Sequence, residues 1–274
     1  RVREKMTVKL SYNEGRSWPV ARLVNEARSG YSDMAILPDM KVALLYENGK
    51  GQYWEKISLA IFDLDNTLIG GDSDHLWGCF VCEEGLVDAA QFGARNDQFY
   101  ADYQRGTLDI DAYLRFALSP LVGQPPETLA AWHRKFMASK IEPIMLTKAT
   151  ALIEQHRQQG HQLLVITATN HFITRPITTA LGIEELIACE GEMVDGRYTG
   201  EPRGVPSYHE GKVTRLQQWM AGRNATLDGA WFYSDSHNDL PLLELVDHPV
   251  AVDPDPTLLA RAEAAGWPVI TLRD

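Results

Sequence analysis

The chain has 274 residues, 45% of them hydrophobic and 23% charged, which is enough apolar material to bury a sizeable α/β core. A formal net charge of −11 argues against nucleic acid and anionic membrane surfaces as general partners. No apolar stretch reaches the ~18 residues of a standard transmembrane helix, and the opening Arg-Val-Arg-Glu-Lys-Met has no apolar signal-peptide core, so a cytoplasmic location is expected.

In chain order, residues 6–10, 34–37 and 42–46 are short hydrophobic runs expected to pair as a small β-meander, marginal on its own. Between them, Ser11-Tyr12-Asn13-Glu14-Gly15-Arg16-Ser17-Trp18 resembles the Asp-box hairpin of sialidase propellers, and Ser29-Gly30-Tyr31-Ser32-Asp33 continues the likeness. In that family the tyrosine of such a Tyr-Ser-Asp triplet is the nucleophile, a role the resemblance would give to Tyr31. A propeller needs about 4 to 8 blades of four strands each, and only about one fits here. Residues 1–55 are therefore expected to be a sialidase-like β fragment without sialidase activity, with its seam near residues 55–60.

Residues 59–62 are an uninterrupted apolar run that ends in Asp63-Leu64-Asp65-Asn66-Thr67. The pattern reads as a buried strand delivering two carboxylates to a sheet edge. Like charges in low dielectric stay ionised only when a cation or hydrogen-bond donors compensate them, so the pair predicts a metal or phosphate site. An Asp-rich, helix-capping turn is the plain alternative.

Thr67 and Thr167 stand 100 positions apart, far more than the ~12 residues a crossover needs, so something is inserted. Apolar residues at helical spacing predict helices over 74–81, 109–118 and 127–136, and residues 73–144 are expected to form a helical insertion. Cys79 and Cys82 lie within the first of these patterns with no second pair to complete a zinc site, which favours core packing.

Residues 163–166 form a second apolar run, ending at the hydroxyl of Thr167 and followed by Ala168-Thr169-Asn170. Glu210-Gly211-Lys212 opens a helical pattern and offers one cation. Residues 231–233 lead a third run into Ser234-Asp235-Ser236-His237-Asn238-Asp239. In open α/β sheets, groups distant in sequence converge beyond the carboxyl ends of the strands.

This ordered set resembles the haloacid dehalogenase superfamily of phosphohydrolases, from about residue 57 to the C-terminus. The resemblance implies an α/β fold: a Rossmann-like parallel sheet with helices on both faces, its core at residues 56–72 and 145–274, and residues 73–144 as a helical cap of the phosphoserine-phosphatase-like branch. Phosphate-ester cleavage needs a nucleophile, a proton donor and positive charge around the phosphoryl oxygens. Asp63 is the candidate nucleophile and would form an aspartyl-phosphate; Asp65 is the general acid and base; Thr167 and Lys212 hold the phosphoryl group. Mg²⁺ is the implied cofactor, with Asp63, the Asp65 backbone carbonyl and Asp235 as ligands and Asp239 in support.

Asp72, Asn170 and Asn238 are the candidate substrate-binding residues. Asp72 stands nine positions after Asp63, where phosphoserine phosphatases carry a Glu that contacts the substrate amine. The cap arginine that grips the substrate carboxylate in those relatives aligns with Ala117, which favours an amine-bearing phosphate ester without a carboxylate, such as L-histidinol phosphate. Phosphoserine, and transfer to an acceptor other than water, are the rival readings within the superfamily. A sialoside-binding or scaffolding protein with an inert phosphatase domain is the alternative of another class. The oligomeric state is not legible.

Overall fold

A computed structural model describes residues 4–10, 20–36, 42–48, 58–221, 223 and 225–273. The chain divides into two compact units, Arg1–Ile57 and Ser58–Asp274. In the first, β1 (Glu4–Leu10) pairs antiparallel with β2 (Val20–Ile36), which pairs antiparallel with β3 (Val42–Asn48). The expected meander is present among the described residues, with β2 running much longer than its hydrophobic core. Tyr31 lies within β2, while the Asp-box segment at residues 11–18 falls outside the described residues.

The second unit is built on a seven-stranded sheet. Its strands are β4 (Leu59–Phe62), β5 (Gln162–Asn170), β6 (Glu185–Val194), β7 (Arg197–Arg203), β8 (Trp231–Ser234), β9 (His248–Val252) and β10 (Val269–Ile270), in the spatial order β10-β9-β8-β4-β5-β6-β7. All neighbours are parallel except β6 and β7. That last pair is joined by Asp195-Gly196, both at positive φ, the backbone that a two-residue hairpin turn requires. Strand β4 lies at the point where the connections diverge to either side, the position at which open α/β sheets bind ligands.

Why β4 and β5 lack polar alternation follows from the packing. Ala60, Phe62 and Val165 point into one buried cluster, and Leu59, Ile61, Leu164 and Ile166 into another. Both faces are therefore apolar, as a parallel sheet covered on both sides demands. Helices α5 (Thr147–Gln158) and α6 (His171–Ala180) cover the first face through Ala149, Ile153, Ile173 and Ile177. Helices α7 (Glu210–Ala221), α8 (Leu240–Leu243) and α9 (Pro256–Ala265) cover the second through Leu216, Leu242, Leu243, Leu258 and Ala262.

Between β4 and α5 the described chain forms four α-helices: α1 (Ser73–Glu83), α2 (Ala89–Gln104), α3 (Ile110–Leu118) and α4 (Pro126–Phe136). The first three are N-capped by Asp72, Asp88 and Asp109, each accepting a backbone N–H two or three residues into the helix. Trp77, Phe80, Leu129 and Phe136 join their apolar faces to the core cluster above the sheet. Helix α2 has no counterpart among the helices expected from sequence. Gly78 lets it approach, since a Cβ there would collide with the Asn96 side chain.

Candidate active site

The loop after β4 sets the two aspartates. The Asp63 N–H donates to the Tyr233 carbonyl (2.9 Å), extending the β4–β8 ladder by one residue, and Asn66 takes a left-handed backbone (φ 55°) that turns the chain away from the sheet. Asn is among the few non-glycine residues that tolerate that conformation. Asp63 is thus fixed at the strand end and Asp65 one turn beyond it.

Lys212 lies in the first turn of α7. Its ammonium is 2.8 Å from Asp63 Oδ1 and 2.7 Å from Asp239 Oδ1, and only 2% of its surface is exposed. Gly211 is required immediately before it, because a Cβ there would strike the Pro206 carbonyl. Ser234 Oγ adds a 2.8 Å bond to Asp239 Oδ2, so that carboxylate has donors on both oxygens. Removing one member of such a buried charge cluster strands the others, typically at a cost of about 3 to 5 kcal/mol.

Asp65 is held differently. Oδ1 accepts the Ser73 backbone N–H at 2.6 Å, and Oδ2 accepts the Thr169 hydroxyl at 2.8 Å and, more weakly, that of Thr167 at 3.4 Å. Thr67 Oγ1 donates to Asp235 Oδ1 at 3.1 Å. Burial pushes the Asp63 carboxyl up to about 7 against the opposing pull of Lys212. Burial also raises Asp65, and raises Asp235 well above the carboxylate range, with the charge of Asp63 adding to the latter. Lys212 moves up, because its two carboxylate partners outweigh its own burial.

Sites far apart in the chain, at 63, 65, 167, 212, 235 and 239, therefore meet at the carboxyl ends of β4, β5 and β8. Among the described residues no group of three or more His, Cys, Asp and Glu side chains is arranged as a metal cluster. The oxygen set nevertheless suits a hard divalent cation. The carboxylates of Asp65 and Asp239 are enclosed by donors on both oxygens, whereas buried Asp63 and half-buried Asp235 repel each other, a mismatch that one cation removes.

Beside these residues lies a cleft with about 510 Å³ of atom-free space, lined from below by Asp63, Asp65, Thr167 and Thr169 and from above by residues of α1, α2 and α3. Asp72 and Asp74 both line it, as do Tyr100, Tyr103 and Tyr113. Burial, and next the charge of Asp65, push the Asp72 carboxyl up to about 7. Asn170 and Asn238 also make bonds within the protein, and Asn170 Nδ2 is buried without a hydrogen-bond partner. Asn170 Oδ1 caps α6 by accepting the Ile173 N–H, and Asn238 donates to the Tyr103 carbonyl at 3.2 Å while its Oδ1 meets His209 at 2.8 Å. Asn238 thereby ties the last motif to α2. Asp74, Thr169 and Tyr103 are site residues that sequence reasoning did not single out.

A sheet of this order with an aspartate-lysine centre under a helical cap defines a phosphatase of the haloacid dehalogenase type. The haloacid dehalogenase-like hydrolase profile matches residues 60–244, and the chain belongs to that family. It is 50% identical over 220 residues to a protein named histidinol-phosphatase from Neisseria meningitidis serogroup C (strain 8013), a match covering 79% of this chain and 99% of that one. Among solved structures, a protein of unknown function from Bordetella pertussis Tohama I matches with 43% identity and a TM-score of 0.75, over 80% of this chain and all of the other. A phosphoserine phosphatase holding a phospho-aspartyl intermediate analogue shares the fold at 18% identity and a TM-score of 0.59, over 80% of this chain and 95% of that one.

Proposed function

We propose that this phosphatase hydrolyses a small amine-bearing phosphate monoester, L-histidinol phosphate, in two steps through an aspartyl-phosphate on Asp63. The observation that carries the reading is the pairing of Lys212 with Asp63. The ammonium holds the nucleophilic carboxylate at the strand end and adds positive charge where the phosphoryl oxygens would lie. Asp65, with a raised pKa, gives a proton to the departing alkoxide, then takes one from the water that cleaves the acyl phosphate. Thr167 and Thr169 orient that carboxyl, and rotation of the Thr167 hydroxyl offers a donor to a phosphoryl oxygen. Mg²⁺, held by Asp63, Asp235 and the Asp65 carbonyl, would supply the charge that lets two buried carboxylates face a phosphate dianion.

The substrate class rests on two observations. The relative that matches over almost its whole length is named histidinol-phosphatase. And among the described residues, those lining the cleft include acidic and aromatic side chains but no Arg or Lys to take a substrate carboxylate; Arg115, on α3, is exposed and pairs with Glu201 at 2.8 Å. Both favour histidinol phosphate over phosphoserine. A screen of phosphorylated metabolites with Mg²⁺ and with EDTA tests the reading: histidinol phosphate should rank first and EDTA should abolish turnover, whereas a preference for phosphoserine or metal-independent hydrolysis would contradict it. The Asp63→Asn variant should show neither turnover nor trapped phosphoenzyme.

A further inference from the structure

Asp65 receives the backbone N–H of Ser73, so the residues on either side of Ser73 border the place where the leaving group departs. Asp72, on one side, occupies the position already assigned to an amine. Asp74, on the other side, is 7% exposed and lines the same cleft; its Oδ1 is buried with no hydrogen-bond partner, while its carboxyl also reaches the Tyr113 hydroxyl and Thr169. A buried carboxyl oxygen left without a partner carries an uncompensated desolvation cost, so its retention beside a substrate cleft calls for a ligand group that pairs with it.

The rest of the lining is rich in aromatic rings. His75 and Tyr100 stack with ring centroids 4.6 Å apart, and Phe99, Tyr103 and Tyr113 complete the enclosure. Asn96 Nδ2 donates to both the carbonyl and Nδ1 of His75 at 3.0 Å each, which leaves the ring proton on Nε2, towards Asp97 and away from the stacked face. The His75 ring is therefore a fixed, neutral surface, its pKa lowered by burial. An acceptor and flat rings lining one cleft suit a planar group bearing N–H donors.

We propose that Asp74 is a specificity-determining residue that accepts a hydrogen bond from a ring N–H of the substrate, so that the cleft reads a nitrogen heterocycle on the alcohol portion in addition to the amine read at Asp72. The proposal deepens the histidinol-phosphate reading and rests on it. Its test compares kcat and KM of wild type, Asp74→Leu and Asp74→Asn on three esters: histidinol phosphate, phosphoethanolamine and p-nitrophenyl phosphate.

Wild type should prefer histidinol phosphate over phosphoethanolamine. Asp74→Leu, which removes the acceptor at similar volume, should lose about 10- to 100-fold more in kcat/KM on histidinol phosphate than on the other two esters, chiefly through KM. Asp74→Asn keeps an acceptor and should fall between. Thermal melts of the variants report an intact fold. A uniform loss on all three esters, or a retained preference in Asp74→Leu, overturns the role of Asp74 while leaving the substrate reading in place. A wild type with no preference for the ring-bearing ester overturns both.

Discussion

At the residue scale, the two aspartates of the first motif are separated by their partners. Asp63 faces an ammonium, which suits the nucleophile proposed for it, and Asp65 faces a backbone amide and two hydroxyls, which suit the proposed acid and base. Asp65→Asn should therefore slow both chemical steps by about 10² to 10⁴ on an alkyl phosphate while leaving Mg²⁺ affinity near wild type. Because p-nitrophenolate departs without help, phosphoenzyme formation from p-nitrophenyl phosphate should suffer far less than from histidinol phosphate. Rapid-quench measurement of the two bursts checks this, and equal losses would remove Asp65 from the role of acid. The convergence of Asp63, Asp65 and Lys212 on one sheet edge was legible because these residues stand at the ends of apolar runs and at a helix start. The duties of Asn170 and Asn238 were not, since an Asn beside a motif can cap a helix or bridge two elements with the same amide, and only the fold decides which.

At the element scale, close approaches of backbone decide the site. Gly211 is the clearest case. In Gly211→Ala the new methyl meets the Pro206 carbonyl, so the start of α7 must shift and carry Lys212 with it. The expected result is a stability loss of about 1 to 3 kcal/mol together with turnover slowed by about 10-fold or more, read by thermal melts and steady-state rates. Wild-type turnover in a destabilised Gly211→Ala would separate the packing of α7 from catalysis. The helices α1, α3 and α4 carry apolar residues at helical spacing and a capping aspartate or a leading proline, and so announce themselves in the sequence. Helix α2 does not: its stretch mixes Gln, Asp, Asn and Tyr with small residues, and of its length only Asn96 is fully buried. The β6–β7 hairpin was also missed, although Asp195-Gly196 is the turn signal that could have revealed it.

For the molecule as a whole, the most informative titration lies away from the cleft. His156 is 2% exposed beneath the sheet, with Nε2 2.7 Å from the Tyr233 hydroxyl and Nδ1 2.7 Å from Nδ1 of His161. Burial, with His161 adding to it, lowers its pKa to about 4, against an ordinary 6.5 in the unfolded chain. Between those values the unfolded state binds the proton and the folded state does not. The contribution is therefore complete above pH 6.5 and is lost as pH falls towards 4, by roughly 3 to 4 kcal/mol in total. Chemical denaturation from pH 7.5 to 4.5 should show a shallower decline for His156→Gln than for wild type; parallel curves would mean that His156 is not the group responsible. The parallel sheet, its two buried faces and the convergence of the motifs at one edge followed from apolar runs ending in chemical groups, so most of this architecture could be read from the chain.

The short bond from the Ser73 amide to Asp65 joins the first residue of the roof to the group that handles protons. If α1 lifts to admit an ester or release an alcohol, that amide leaves with it, and the carboxyl becomes a weaker acid at the moment the vestibule fills with solvent. Seating the roof restores the donor and with it the capacity to surrender a proton. In that case entry and bond breaking would share one hydrogen atom, and an unseated roof would guard against idle turnover.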